Sequence, residues 1–416
     1  MSNKNWMKLL QRALSVMLIL FIFQSTIPMI SIARANTSTN DELQAVWISY
    51  LEFQDRLKDP KTGKLGFTEE RFHAMIDEMF DNVVSMNMNA VVVHVRPFAD
   101  AMYPSQYFPW SKYISGTQGK DPGFDPLEYM VKAAHDRGLE FHAWINPYRI
   151  TNNTTDVKTL SKDNLARIYR TNDNKEDDRC VLTYDGMLYY NPSDVWVHTI
   201  ILDGIMEIIE NYDVDGIHFD DYFYPALGKD YKKNFDYKEY KEYSTWCKEN
   251  GIKPLSIADW RRDNVNALIR NIYEAIKEYN KDIEFGISPG GFIDNLLMDD
   301  RYYSDIKTWL SEPGYIDYIC PQLYWSFSHK TYPFDKTLNR WLKLRTNKDV
   351  KMYVGIATYR AGSTLEPDWK DDPDILKDMI EYGRKAGADG YMHFRYDFFY
   401  KKATKKAVTK MLNIIE

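Results

Sequence analysis

One short segment, residues 215–222, carries the side chains best suited to acid–base chemistry. It reads Asp215-Gly216-Ile217-His218-Phe219-Asp220-Asp221-Tyr222. Every second side chain of an extended strand points the same way, so His218, Asp220 and Tyr222 share one face. A carboxyl group held among aromatic rings loses hydration, which raises its pKa and keeps it protonated near neutral pH. We therefore predict that Asp220 is the main catalytic carboxylate and that Asp221 acts beside it.

Other roles are open to both carboxylates. Asp220 could form a structural ion pair with Arg96 or Arg395, and Asp221 could cap the loop that follows the strand. Neither alternative is excluded by the sequence alone.

Metal and serine chemistry are less well supported. His94 and His218 could bind a metal, but hydrolytic barrel sites usually show an HxH pair, and here the second strand reads His-Val-Arg. We therefore interpret His94 as a buried, hydrogen-bonded histidine and expect no metal and no cofactor. Ser288 lies in a Gly-Ile-Ser-Pro-Gly run that resembles a nucleophile elbow, but Pro289 opposes the helix that such an elbow requires.

Polar and aromatic side chains also end several other β-rich runs, and we predict that they meet in one cavity. Aromatic faces pack against sugar rings, while amide, guanidinium and carboxyl groups bind hydroxyls, so the mixture suits a glycan. The predicted substrate-binding residues are Tyr50, His94, Arg96, Trp144, Asn146, Tyr148, His218, Tyr222, Ser288, Gln322, Tyr324, Trp325, Tyr359 and Arg395.

The elements that must position these residues are eight β-rich runs separated by segments of helical periodicity. This alternation predicts an α/β fold, a (β/α)8 TIM barrel; a doubly wound sheet is disfavoured because no GxGxxG follows a strand. The predicted strands are Leu43–Ser49, Ala90–Arg96, Glu140–Asn146, Asp215–Asp221, Glu284–Pro289, Tyr315–Tyr324, Lys351–Thr358 and Gly390–Tyr396. Predicted helices include 68–88, 194–212, 259–279, 373–386 and a last helix at 401–416, with Ser193 and Ser256 as two caps.

The spacing of the strands predicts two insertions. One follows the third strand, at about 150–192, and contains Asp185-Gly186 as a hairpin signal; the other follows the fourth, at about 223–258. Both leave the carboxyl ends of strands, where barrel enzymes build their sites. No linker separates a second domain, so we expect a single catalytic domain over 36–416.

The first 35 residues have the pattern of a secretory signal peptide. Lys4, Lys8 and Arg12 precede an apolar run at 13–23, and Ala33-Arg34-Ala35 has small-x-small spacing. The alternative is an uncleaved membrane anchor. We expect a secreted or cell-wall-associated protein with no membrane contact after cleavage.

The overall composition of the chain argues against some classes of binding partner and against a disulfide-rich fold. The chain has 416 residues, a formal net charge of −7 and three cysteines. The negative charge argues against nucleic acid, and the cysteines are too few for a disulfide framework, so we expect them to be free.

Several motifs resemble the family 10 glycosyl-hydrolase-like proteins, a family similar to the divisome-localised peptidoglycan hydrolase of Gram-negative bacteria. The motifs are Ala45-Val46-Trp47-Ile48, His94-Val95-Arg96-Pro97, the run 143–149, the run 213–225, Gly286-Ile287-Ser288-Pro289 and Pro321-Gln322-Leu323-Tyr324-Trp325. The resemblance covers about residues 43–396. It implies a (β/α)8 fold, a location outside the cytoplasm and cleavage of peptidoglycan glycan strands that have lost their peptides.

The second catalytic group is not evident. Glycosidases with two carboxyl groups need a partner for Asp220, and Asp221 and Asp294 are the nearest candidates. Residues 215–222 also distantly resemble the DGxDxDxE strand of family 18 chitinases, in which the substrate's acetamido group attacks the anomeric carbon. Only Asp220 matches, because Tyr222 replaces the catalytic Glu.

Substrate assistance would explain a missing second carboxylate. Under it, Tyr324, Gln322 and Asn146 would steady the N-acetyl group. Arg96 and Arg395 would tune the pKa of Asp220 or bind a muramic lactyl carboxylate. A catalytically silent glycan-binding barrel and a hydrolase of another polysaccharide are the alternatives.

Overall fold

Eight parallel strands close into a barrel in the computed structural model, which describes residues 42–415. Their order around the barrel is β1-β10-β9-β8-β7-β6-β3-β2, and β4 and β5 form a separate antiparallel pair. The (β/α)8 prediction is confirmed, whereas the predicted signal peptide lies outside the described residues. The strands are β1 Leu43–Ile48, β2 Ala90–Arg96, β3 Glu140–Ile145, β4 Val181–Tyr184, β5 Met187–Tyr190, β6 Gly216–Phe219, β7 Glu284–Ile287, β8 Tyr318–Ile319, β9 Lys351–Ile356 and β10 Gly390–His393.

Helices surround the barrel and connect its strands. Their bounds are Tyr50–Arg56, Glu69–Ser85, Lys112–Ser115, Pro126–His135, Leu165–Thr171, Val195–Asn211, Tyr237–Glu249, Ile257–Tyr279, Ile293–Leu296, Ile306–Ser311, Phe334–Leu344, Pro367–Asp371, Ile375–Ala386 and Lys405–Leu412. Over residues 42–415, none of them combines the length and apolar character needed to cross a membrane.

Helix starts follow the capping chemistry of the sequence, with one difference. Ser256 caps Ile257–Tyr279 as predicted, its hydroxyl accepting from the Asp259 N–H. The cap of Val195–Asn211 is Asp194 rather than Ser193, since its carboxylate accepts two backbone N–H groups. Ser193 instead donates its hydroxyl to the Asn191 side chain, at 2.8 Å.

The insertion after β3 contains the predicted hairpin. Strands β4 and β5 meet at Asp185-Gly186, where both residues have positive φ, at 47° and 73°. The turn therefore uses the left-handed backbone that Asp-Gly sequences favour. The insertion after β6 forms the helix Tyr237–Glu249.

Side chains alternate between two cores. Inward-facing residues of the barrel strands form a cluster that includes Ala45, Trp47, Trp144, Met392 and, partly buried, Phe394. Outward-facing residues pack beneath the helices in a much larger cluster. The predicted orientation of the last strand is therefore wrong, because Met392 and Phe394, not His393 and Arg395, face the barrel interior.

Arg96 also faces away from the predicted side, for an identifiable reason. The pairing of β2 with β3 shifts between His94, which opposes Trp144, and Arg96, which opposes the outward-facing Ile145. This irregularity places Arg96 in the helical layer, with its guanidinium carbon 4.3 Å from the Phe108 ring centre. Strict alternation fails at an irregularity of this kind, so the sequence pattern misplaced this side chain.

A single chain of hydrogen bonds runs through the barrel interior. The Trp47 indole N–H donates to Nε2 of His218 at 3.3 Å, so the proton of His218 resides on Nδ1, 2.9 Å from the Tyr318 hydroxyl. Tyr318 then donates to Nδ1 of His142 at 3.2 Å, and Nε2 of His142 donates to Glu140 at 3.4 Å. The chain orients Trp47 beneath the carboxyl ends of the strands.

Glycines make room for this chain. A Cβ on Gly286 would lie 2.0 Å from the Tyr318 ring, and one on Gly216 would lie 2.4 Å from Nδ1 of His142. Neither position has space for another side chain. Strand β8 itself is short because Pro321 cannot donate to the ladder, although Gln322 resumes contact with both neighbouring strands.

Candidate active site

A cavity of about 250 Å³ opens at the carboxyl ends of the barrel strands. Its lining includes eight predicted site residues and five others. The predicted ones are Tyr50, His94, Trp144, Asp220, Asp221, Tyr222, Gln322 and Tyr324, and the others are Trp47, Ser49, Leu51, Arg149 and Phe394. The site therefore draws on several strand ends and their following loops, as expected for this fold.

Aromatic rings make up much of the cavity wall. The ring centres of Trp47 and Phe394 are 5.9 Å apart, and those of Trp47 and Trp144 are 6.5 Å apart. His94 stacks on Trp144 at 3.3 Å and accepts the Tyr50 N–H at Nδ1. These faces provide apolar area with fixed orientation, the kind of surface on which a sugar ring packs.

Asp220 is only 8 % exposed, and both of its hydrogen bonds go to one oxygen. Its Oδ1 accepts from the Gln322 side-chain amide at 2.8 Å and from the Asp221 N–H at 2.8 Å. The Gln322 amide also donates to the Ser288 carbonyl at 3.1 Å, which holds it in place. This pattern leaves Oδ2 of Asp220, which accepts neither of these two N–H groups, as the oxygen available to hold a proton.

Burial and a neighbouring carboxyl group both raise the pKa of Asp220 and so favour its protonated form. Desolvation raises the pKa of Asp220 well above its ordinary value, and the neighbouring Asp221 carboxyl raises it further. Arg149 opposes this shift, because its positive charge lowers the pKa of Asp220. Asp221 and burial thus favour a protonated Asp220 carboxyl group. A protonated carboxyl group at a cavity wall is suited to donating a proton to a leaving group.

Three predicted residues lie just behind the lining. Asn146 donates to the Pro97 carbonyl at 3.0 Å and sits 3.4 Å from Nε2 of His94. His218 is buried under Trp47, as described above, and Ser288 supports Gln322 through its carbonyl. His94 is buried and hydrogen-bonded, in agreement with its interpretation from the sequence, and His218 is buried and hydrogen-bonded as well.

The remaining predicted residues do not reach the cavity. Tyr148 is buried with its hydroxyl 3.4 Å from His198, and Tyr359 packs behind Tyr324. Trp325 points towards Phe292 and Tyr332. These rings follow their strands by one or more residues in loops, where alternation no longer determines direction.

Arg395 belongs to a separate ion-pair network. It pairs with Glu52 and lies 3.5 Å from Asp397, which also binds Arg56 at 2.6 Å. Neither Arg395 nor Arg96 forms an ion pair with Asp220, so the structural ion pair considered from the sequence is absent from residues 42–415. The network instead joins the helix after β1, Tyr50–Arg56, to the segment that follows β10.

Glu52 is the centre of that network. Its carboxylate accepts the backbone N–H and the hydroxyl of Ser49, at 2.9 and 2.7 Å, completing a capping box. Because Ser49, Tyr50 and Leu51 line the cavity, Glu52 and Arg395 hold one wall of the site without touching its contents.

Asp294 is not the second carboxylate of this site. It forms an exposed ion pair with Arg340 at 2.6 Å and does not line the cavity. Asp221 is thus the carboxyl group adjacent to Asp220. Within the described range, no group of three or more His, Cys, Asp or Glu side chains is close enough to hold a metal ion. Cys180, Cys247 and Cys320 are buried and unpaired, so the expectation of free cysteines is confirmed.

Sequence reasoning missed Trp47, Phe394 and Arg149. Trp47 and Phe394 occupy inward positions of their strands, a signal that alternation already contained. Arg149 lies beyond the end of β3 and had no such signal.

Comparison with known proteins establishes the family. The family model described as "Glycosyl hydrolase-like 10" matches residues 42–371. The chain belongs to this family. It is a glycoside hydrolase, and its substrate is a polysaccharide. The resemblance inferred from the motifs is therefore confirmed.

Two relatives illustrate the similarity. The glycosyl hydrolase YngK of Bacillus subtilis is 37% identical over 394 residues, covering 91% of this chain and 72% of YngK. The glycosyl hydrolase DigH of Escherichia coli K12 is 33% identical over 362 residues, covering 81% of this chain and 78% of DigH.

Solved structures agree on the fold. The glycoside hydrolase domain of PgaB from Bordetella bronchiseptica matches with a TM-score of 0.55 and 13% identity, over 89% of this chain and 99% of that domain. The catalytic domain of a β-amylase from Paenibacillus polymyxa also gives 0.55, with 11% identity, over 91% of this chain and 100% of that domain.

Proposed function

We propose that this glycoside hydrolase is exported and cleaves peptidoglycan glycan strands that have lost their peptides, with Asp220 as its general acid. The observation that carries the catalytic assignment is the buried Asp220 carboxyl, whose Oδ1 accepts two hydrogen bonds while burial and Asp221 raise its pKa. The motif resemblance supports the substrate, and the pattern of residues 1–35 supports export.

In the proposed reaction, Oδ2 of Asp220 donates its proton to the glycosidic oxygen as the bond to the anomeric carbon breaks. Gln322 and the Asp221 N–H stabilise the carboxylate that this transfer leaves on Asp220. The acetamido oxygen of the substrate attacks the anomeric carbon and forms an oxazolinium ion as the leaving oxygen departs, so no second carboxylate is needed as nucleophile. A water molecule then attacks the anomeric carbon and opens this ion, and the proton that the water loses returns to Oδ2 of Asp220. Asp221 lies beside Asp220 and favours its protonated form, and the aromatic wall holds the sugar rings.

A digestion experiment tests the substrate. The purified chain is incubated with peptide-free strands, peptide-bearing strands and chitin oligosaccharides, and products are read by mass spectrometry. We expect soluble fragments mainly from peptide-free strands. Cleavage of chitin alone would point to another polysaccharide, and binding of strands without any cleavage would contradict the proposed activity. Mass spectrometry of the exported protein should find a new N-terminus after about Ala35.

The pH dependence of the reaction should change in a defined direction in Asp221→Asn. Removing the Asp221 charge removes a cause of the raised pKa of Asp220, so Asp220 loses its proton at lower pH. Because the reaction requires protonated Asp220, the alkaline limb of the kcat/KM profile should move to lower pH. The profile of Asp294→Asn serves as the control and should not move. An unmoved or raised limb in Asp221→Asn would contradict the assignment.

A further inference from the structure

Arg149 is a positive charge at the wall of the cavity that contacts no carboxylate directly, although its charge acts on Asp220 and Asp221 nearby. It is the one Lys or Arg side chain in the lining, judged over the described residues. Within residues 42–415 it forms no ion pair, in contrast to Arg395, Arg340 and Arg261, each of which binds a carboxylate. A guanidinium at a ligand cavity that contacts no carboxylate of the protein directly is suited to bind one from the ligand.

Two aromatic rings and the inserted hairpin fix the position of this cation. The guanidinium carbon of Arg149 lies 4.3 Å from the ring centre of Tyr222 and 4.9 Å from that of Phe98. Stacking on rings occupies the faces of a guanidinium, and the N–H groups that do not contact the Tyr222 side chain are left to bind a carboxylate.

The backbone on both sides is tied to β5. Tyr190 N–H donates to the Tyr148 carbonyl at 2.8 Å, and Ile150 N–H donates to the Leu188 carbonyl at 3.1 Å. Arg149 itself bridges to Tyr189. The insertion after β3 thus holds Arg149 ready, so little side-chain freedom has to be lost when a ligand binds.

We propose that Arg149 binds a free carboxylate of the substrate, namely the lactyl carboxylate of a muramic acid residue that has lost its peptide. The inference rests on the proposed function and adds a reason for the preference for peptide-free strands. In an intact strand the lactyl group is an amide, which carries no charge for Arg149 to bind. Removal of the peptide creates the carboxylate that this site recognises.

A substrate modification separates charge from size. Carbodiimide activation followed by borohydride reduction converts the lactyl carboxylate of soluble peptide-free strands to an uncharged alcohol without adding bulk. Wild type, Arg149→Gln and Arg149→Lys are then compared on native and reduced strands by kcat/KM.

The expected pattern is specific. Wild type should cleave reduced strands about 10- to 100-fold less efficiently than native strands, the range for a hydrogen bond to a charged group. In Arg149→Gln the ratio of kcat/KM on native strands to kcat/KM on reduced strands should fall to less than about twofold, and Arg149→Lys should retain part of the preference.

Three results would overturn the proposal. Equal cleavage of both substrates by wild type would show that the charge is not recognised. An equal loss on both substrates in Arg149→Gln would assign Arg149 to tuning the Asp220–Asp221 pair instead. Both results leave the proposed function intact, because wild type still cleaves the strands. Wild type that cleaves neither substrate would refute the proposed function, and the inference with it.

Discussion

Asp220→Asn should reduce kcat by about 10³-fold while leaving the fold and the affinity for glycan nearly unchanged. A positioned general acid contributes on the order of 10²- to 10⁴-fold to the rate of proton transfer. The amide oxygen of Asn can accept the same two hydrogen bonds, from Gln322 and from the Asp221 N–H. Because burial and the Asp221 carboxyl raise the pKa of Asp220 and so favour its neutral form, a neutral replacement removes little buried charge.

The measurement is single-turnover cleavage of soluble glycan strands together with binding to the same strands. The matched control is Asp294→Asn, which removes a carboxylate of the same type from an exposed ion pair outside the cavity. We expect wild-type kcat in the control. If Asp220→Asn cleaves as fast as wild type, Asp220 is not the acid, and Asp221 becomes the candidate.

Arg395→Met should lower the free energy of unfolding by about 3 kcal/mol at neutral pH. The side chain of Glu52 has no solvent exposure, and Arg395 neutralises it at 12% exposure. Burial raises the pKa of Glu52, while the charge of Arg395 lowers it. Removing one partner of such a pair leaves an unpaired buried charge and costs roughly 3–5 kcal/mol of folding free energy. Protonation of Glu52 reduces this cost in part.

Urea unfolding of wild type and Arg395→Met, monitored by circular dichroism, measures this change in the free energy of unfolding. The control is Arg340→Met, which breaks an ion pair with side chains 47% and 59% exposed and should cost less than about 1 kcal/mol. Because the lost partner favours ionised Glu52, the effect of Arg395→Met should shrink as pH falls and Glu52 takes up a proton. A cost equal to that of the control, or one that grows towards acid pH, would contradict this account.

The barrel and much of the cavity were predictable from the sequence because both depend on the alternation of residues in strands. Asp220, Gln322 and Trp144 follow that alternation and face the cavity as predicted. Arg96 does not, because the pairing of β2 with β3 shifts just before it. The residues of β2 alone do not indicate this shift, because it arises from how β2 pairs with β3.

Ion pairs between distant parts of the chain likewise could not be predicted from the sequence. Arg395 and Glu52 are 343 positions apart, and nothing in either segment indicates that they meet. Arg149 lies in a loop whose direction is set by pairing with the inserted hairpin. In these cases the deciding contact comes from a distant part of the chain, and only the folded structure brings it together.

The hydrogen-bond chain from Glu140 to Trp47 determines whether a proton can reach the cavity through the barrel interior. An indole N–H donates a hydrogen bond but offers no lone pair to take a proton up, so a proton cannot pass through Trp47 to the cavity. The chain therefore insulates the cavity from the opposite end of the barrel instead of acting as a proton wire. In the proposed reaction, Asp220 therefore recovers its proton from water that enters at the open mouth, and each turnover ends only when water regains access there.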